Sequence, residues 1–119
     1  MYLYLDRSRY DLPGVEGNKF VCWPPLRSLD DQDALWDGLA SGEIQAYGTD
    51  HVPWTAAQMM GPDLNFSQIP GGASNAETSI GMLYSEGVGK GRISLRRFVE
   101  LTSSNPAKLF GMGPAKGSL

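Results

Sequence analysis

Apolar and polar positions along the 119 residues fall into short stretches of two kinds. Residues 2–5, "YLYL", and residues 19–23, "KFVCW", are brief β-prone runs, and Pro24 and Pro25 end the second because neither can donate a ladder hydrogen bond. Residues 43–54, "EIQAYGTDHVPW", begin with strand-like alternation and break at Asp50 and His51. Helical spacing takes over elsewhere. Ser28 reads as an N-cap, Asp30 and Asp31 occupy the first turn, Gly42 stops the helix, and Ala34, Leu35, Gly38 and Leu39 mark its buried face. A second helix is predicted over 76–86, with Ile80, Leu83 and Tyr84 inward and Gly87 as its stop. Ser94 caps a third, carrying Leu95, Phe98, Val99 and Leu101, and Asn105-Pro106 opens a short fourth that Gly111 closes. Residues 59–77 form a long irregular loop of the kind that is usually functional.

Strands alternating with helices predict an α/β fold with a parallel sheet. Two or three strands are few for that architecture, because a parallel sheet needs covered faces and covered edges. An exposed sheet beside "YLYL" would leave the isolated chain molten, aggregating or oligomeric.

Composition narrows the classes. A hydrophobic fraction of 41% and a charged fraction of 19% suit a folded chain, and 15 glycines and 8 prolines give many turns. The net charge of −3 and the scattered basic residues exclude a nucleic-acid stripe. No apolar run reaches the ~20 residues that span a bilayer, and the first residues do not form a signal peptide. One cysteine cannot form an internal disulfide. A cytoplasmic location, with no membrane and no nucleic-acid partner, is the expectation.

Chemistry concentrates at the break after residue 49. Asp50 has two readings: a carboxylate presented to a metal and a proton at the end of a strand, or a cap of the turn before "HVPW". His51 reads as a ligand, a support for one, or a packed loop residue. No second histidine exists to complete a zinc site of the common kind. Cys22 reads as a buried inert thiol, since nothing places it beside the one imidazole. "IPGG", residues 69–72, allows backbone to approach a ligand closely or forms a plain turn. "GVGKGR" lacks the Gly-Lys-Ser/Thr ending of a phosphate loop.

Four stretches, "KFVCWPPLR", "DDQDALWDGLASGEIQAYGTDHVPW", "IPGGASNAETSIGMLYSEGVGKGRISLRRFVELTSSNPAKLFG" and "KGSL", occur in the order and spacing of one family. With them the chain resembles the dihydropyrimidinase and hydantoinase family of cyclic amidohydrolases. The resemblance covers residues 2–119 and implies the C-terminal fragment of a (β/α)8 TIM-like barrel, beginning near the penultimate strand. The metal-binding half upstream and the C-terminal β-sandwich strands are expected to lie outside this stretch. It further implies a centre of two divalent ions, usually Zn2+, and water attacking a ring amide of a hydantoin or dihydropyrimidine to give an N-carbamoyl amino acid.

By that resemblance Asp50 is a metal ligand and the general base, and His51 a neighbour that supports it. Trp23 and Gly71 take positions whose backbone groups contact the substrate ring. Trp23 stands where the family has Ser, and Gly71 where it often has Asn. The family's paired histidines, carboxylated lysine and later histidines have no match here, so the isolated chain is expected to be inactive. The complete family protein is expected to be a homo-oligomer. The alternative is a non-catalytic relative with an assembly or signalling role, which Asp50 argues against and Trp23 for.

Overall fold

The computed structural model describes residues 1–117. Among the described residues five α-helices follow one another: α1 (Leu29–Ser41), α2 (Ala56–Met59), α3 (Ala76–Met82), α4 (Leu95–Val99) and α5 (Asn105–Leu109). Tight 3-10 turns occupy Arg7–Asp11, Glu16–Phe20 and Phe66–Gln68. α3 and α4 run on into wider π-helical turns, Leu83–Val88 and Glu100–Ser104. Ser118 and Leu119 of the "KGSL" motif lie outside the described residues.

The strands expected from the pattern do not form among the described residues. "YLYL" lies in a turn, in which Tyr4 N and Leu5 N donate to Met1 O at 2.9 and 3.1 Å. Lys19 and Phe20 end a 3-10 turn. Residues 45–50 follow no regular structure, and Tyr47 N donates at 3.0 Å to Leu101 O, a helical carbonyl. A strand exists through the ladder of a neighbour, and alternation supplies only the face that would be buried. The single bridge among the described residues pairs His51 with Ala73 in parallel. The α/β expectation therefore holds here only for its helices.

The chain divides into two units. One holds residues 1–32 and 50–77. Its buried apolar residues are Val21, Cys22, Leu26, Met59 and Ile69. Bonds distant in sequence knit it: Arg7 N to Arg27 O (2.8 Å), Leu26 N to the Tyr10 hydroxyl (2.8 Å), Gly72 N to Val21 O (3.0 Å) and Val52 N to Ala73 O (3.2 Å). α2, which the pattern did not announce, is set by a capping box between Thr55 and Gln58.

The other unit holds residues 33–49 and those from Thr78 onward. Trp36, Leu39, Leu83, Ile93, Leu101 and Ala107 are buried in it. α1 ends as expected at Gly42, which takes φ +96°, and Ile44 N reaches back to Gly38 O at 3.0 Å. Arg97 satisfies one carbonyl in the last turn of α1 and one beyond it, donating from Nε to Leu39 O and from Nη2 to Ile44 O, both at 2.6 Å.

The helical faces match the predicted ones in part, with Gly38, Leu39, Leu83 and Leu101 buried as expected. In α1 it is Trp36, Gly38 and Leu39 that are buried, whereas Ala34 is exposed. The Trp36 ring lies under the Arg92 guanidinium, 5.1 Å from its centroid, and beside Gly87. Along α3 and its continuation Ser79, Leu83 and Gly87 are buried at four-residue spacing, while Ile80 and Tyr84 are exposed. Gly87 does not stop the helix; without a Cβ it admits Ile93, whose Cδ1 would lie 3.0 Å from one. Asn105 and Pro106 open α5 as expected, but without a break: it continues directly from the π-helical turn Glu100–Ser104. Ser104 and Asn105 keep helical dihedrals, and the turn widens where Pro106 offers no N–H. Leu101 is fully buried there, with Leu95 and Val99 exposed.

Candidate functional site

Asp50 is the one non-glycine residue with positive φ among the described residues, at +47°. Aspartate tolerates this left-handed conformation better than most residues, and such outliers concentrate at functional positions. Its side chain is exposed, and its carboxylate accepts no hydrogen bond among the described residues. The turn-capping reading therefore finds no bond to support it. The Asp50 charge reaches the Met1 amino group and the Tyr2 hydroxyl.

Those two groups belong to a cluster around Cys22. The Tyr10 hydroxyl accepts from Leu26 N and lies 3.9 Å from Cys22 Sγ. The Tyr2 hydroxyl donates to Pro24 O at 2.6 Å. Burial, then Cys22, then Asp50 and Tyr10 push the Tyr2 phenol up to about 12. Burial holds the Met1 amino group below its usual value, against the opposing pull of Cys22 and Asp50. Cys22 is 2% exposed, in keeping with an inert thiol.

His51 is tied down by its own ring. Nδ1 accepts from Asn75 N at 3.0 Å and Ala76 N at 3.1 Å, which caps the start of α3. Nδ1 serves as the acceptor of the ring and holds both amides. The bridge to Ala73 and the bond from Val52 N to Ala73 O fix the same strip of chain.

Trp23 and Gly71 meet directly. A Cβ at position 71 would overlap Cδ1 and Nε1 of the Trp23 indole. Trp23 is 57% exposed, with the Phe66 ring edge-on at 5.8 Å between centroids. Trp54 joins them, its Nε1–H donating to Gly71 O at 3.2 Å. Sequence reading missed Trp54; 17 residues separate it from Gly71, and no local pattern signals that bond. The structure thus gathers Trp23, Trp54 and Gly71, and separately Tyr10 with Cys22.

Among the described residues no three His, Cys, Asp or Glu side chains gather to hold an ion. Asp50 is an uncommitted carboxylate, whereas one nitrogen of His51 is occupied. These residues alone do not fit a two-metal centre, though Asp50 fits a single position in one.

The comparisons agree with one another. The amidohydrolase family model matches residues 13–119. A D-phenylhydantoinase of Escherichia coli O1:K1 is 46% identical over 99% of this chain and 25% of its own length. The crystal structure of dihydropyrimidinase from Brevibacillus agri NCHU1002 superposes with a TM-score of 0.93 at 45% identity, covering 98% of this chain and 26% of that one. D-Hydantoinase (dihydropyrimidinase) from Thermus sp. gives 0.92 at 40% identity, with the same coverage. The chain spans about a quarter of the length of these relatives. It belongs to the amidohydrolase family.

Proposed function

We propose that these residues are the C-terminal barrel segment of a metal-dependent cyclic amidohydrolase, completed by a metal-binding half and β-sandwich strands from outside this stretch. The substrates are hydantoins or dihydropyrimidines and the products N-carbamoyl amino acids. The relatives at 46% and 45% identity support that class. The observation that carries the reading is Asp50: a carboxylate on a left-handed backbone, exposed, with no local hydrogen bond to occupy it.

In this reading water adds to the ring carbonyl carbon, the C–N bond of the amide breaks, and the freed nitrogen ends protonated. The Asp50 carboxylate takes the proton that the water gives up, as a general base. Two divalent ions, zinc here, would when bound activate water and polarise the carbonyl. Asp50 supplies one donor to them and His51 holds the backbone beside it. Gly71 O and the backbone of Trp23 face the substrate ring. The isolated chain is inactive for want of the other donors, and the complete protein is a cytoplasmic homo-oligomer. A second reading, a non-catalytic assembly or signalling protein, draws on the indole of Trp23 standing over Gly71.

The test is a completed enzyme, in which these residues replace the matching quarter of the E. coli D-phenylhydantoinase. Loaded with zinc, it is expected to release N-carbamoyl product from a hydantoin. Asp50→Asn should lower kcat at least about a hundredfold with zinc content unchanged to within one ion. A folded, fully metallated protein without turnover would favour the second reading, and an active Asp50→Asn variant would remove Asp50 from the mechanism.

A further inference from the structure

We propose that Trp54 is a positioning residue for the Gly71–Gly72 peptide, and that Trp23 makes glycine obligatory at position 71. The inference rests on the reading above in one respect, that Gly71 O accepts from the substrate ring amide.

Two consecutive glycines are the most permissive backbone available, and an acceptor carried on them has no intrinsic direction. Here the peptide between them is held at both ends. Its carbonyl oxygen accepts from Trp54 Nε1–H at 3.2 Å. Its amide, Gly72 N–H, donates to Val21 O at 3.0 Å. Both bonds come from residues distant in sequence, so the peptide plane is set by tertiary contacts.

The flanking atoms are fixed as well. A Cβ on residue 71 would overlap the Trp23 pyrrole ring and lie 3.2 Å from its Cγ, so indole occupies the volume of a side chain. Phe66 braces that indole edge-on at an interplanar angle of 71°. On the other side Gly72 takes φ +149°, where a Cβ would meet Val52 Cβ at 2.6 Å.

A carbonyl oxygen has two lone pairs, and an indole N–H is a donor only. Trp54 therefore takes one lone pair and leaves the second for a ring N–H of the substrate, already aimed. Pre-setting an acceptor in this way removes an ordering cost from binding and leaves the bond-breaking step alone. The residue acts on ground state and transition state equally.

Trp54→Phe in the completed enzyme keeps the aromatic body and removes the N–H. KM for the cyclic amide is expected to rise about three- to tenfold, with kcat held within about twofold. Gly71→Ala should raise KM at least as much while Trp23 is present. In the Trp23→Ser background the same change should raise KM by a smaller factor than it does with Trp23 present, because the overlapping ring is gone. An active enzyme whose KM ignores Trp54→Phe overturns the proposal and leaves the cyclic-amide reading intact. Should the completed enzyme turn over no cyclic amide, the earlier reading falls, and the 15N indole signals of this chain decide the clamp. The Trp54 signal should then shift in Gly71→Ala and return in Trp23→Ser/Gly71→Ala; a Trp54 signal indifferent to residue 71 overturns it.

Discussion

Side chains that looked catalytic or inert in the sequence acquire their roles from single bonds. His51 is a plain instance. Its Nδ1 carries two backbone amides at the start of α3, across 24 and 25 residues. Replacing it by Ala leaves both amides to water, a loss of the N-cap kind worth about 1 kcal/mol. Urea unfolding of His51→Ala should show that loss, and His51→Asn, which keeps an acceptor oxygen, should recover part of it. Asp50 was legible because a carboxylate followed a strand-like pattern. Its left-handed backbone was not, since φ at that residue is imposed by the chain on either side. Trp54 was passed over because an indole beside a proline carries no signal until Gly71 O is brought to it.

Helix starts follow local chemistry, and helix faces do so only in part: Gly38, Leu39, Leu83 and Leu101 are buried as their spacing predicts. The Ser28 cap and the Gly42 stop of α1 stand where the sequence puts them, with Ser28 Oγ accepting from Asp31 N at 3.2 Å. Ser94 likewise accepts from Arg97 N at 3.0 Å at the start of α4. The buried positions shifted because Trp36, Gly87 and Ile93 pack into one another, a match of large against absent side chains that no helical period encodes. At the element scale the ion pairs of Glu100 with Arg96 (2.9 Å) and Arg97 (3.1 Å) make stability depend on pH. Hydrogen bonds from Arg96, then Arg97, hold the Glu100 carboxyl below its ordinary 4.5. A depressed carboxyl stabilises the fold above its unfolded value and ceases to do so as pH falls through the folded one. Thermal scans should therefore show Glu100→Gln less stable than the parent at neutral pH, with the gap closing as pH falls below the carboxyl's ordinary 4.5. An equal gap at all pH values would remove the charge from the explanation.

At the scale of the molecule, large apolar side chains remain uncovered: Leu29, Phe66, Leu95, Leu109 and Phe110 among others, Phe110 at 80% exposure. Apolar surface in water favours association. The expected sheet edge is not the cause, since the described residues contain no strand ladder; helical and loop side chains are. Sedimentation velocity on the isolated chain should show mass increasing with concentration, and it should bind a hydrophobic dye. A monomer at all concentrations that ignores the dye would show these side chains to be harmless in water. The family's motifs span nearly the whole chain, and a quarter of a relative's length shares their geometry closely.

The sequence by itself determined where α1, α3 and α4 start and where α1 stops, because caps and glycine stops act over three or four residues. It also determined the family and the position of the carboxylate, because motif order and residue type are written in the chain. Only the tertiary structure decided that the strand-like segments lack ladders, that His51 caps a helix, and that two indoles hold Gly71. The last two outcomes depend on groups 17 or more residues apart coming into contact. Pairings of that range follow from how the whole chain packs, and no window of local pattern contains them.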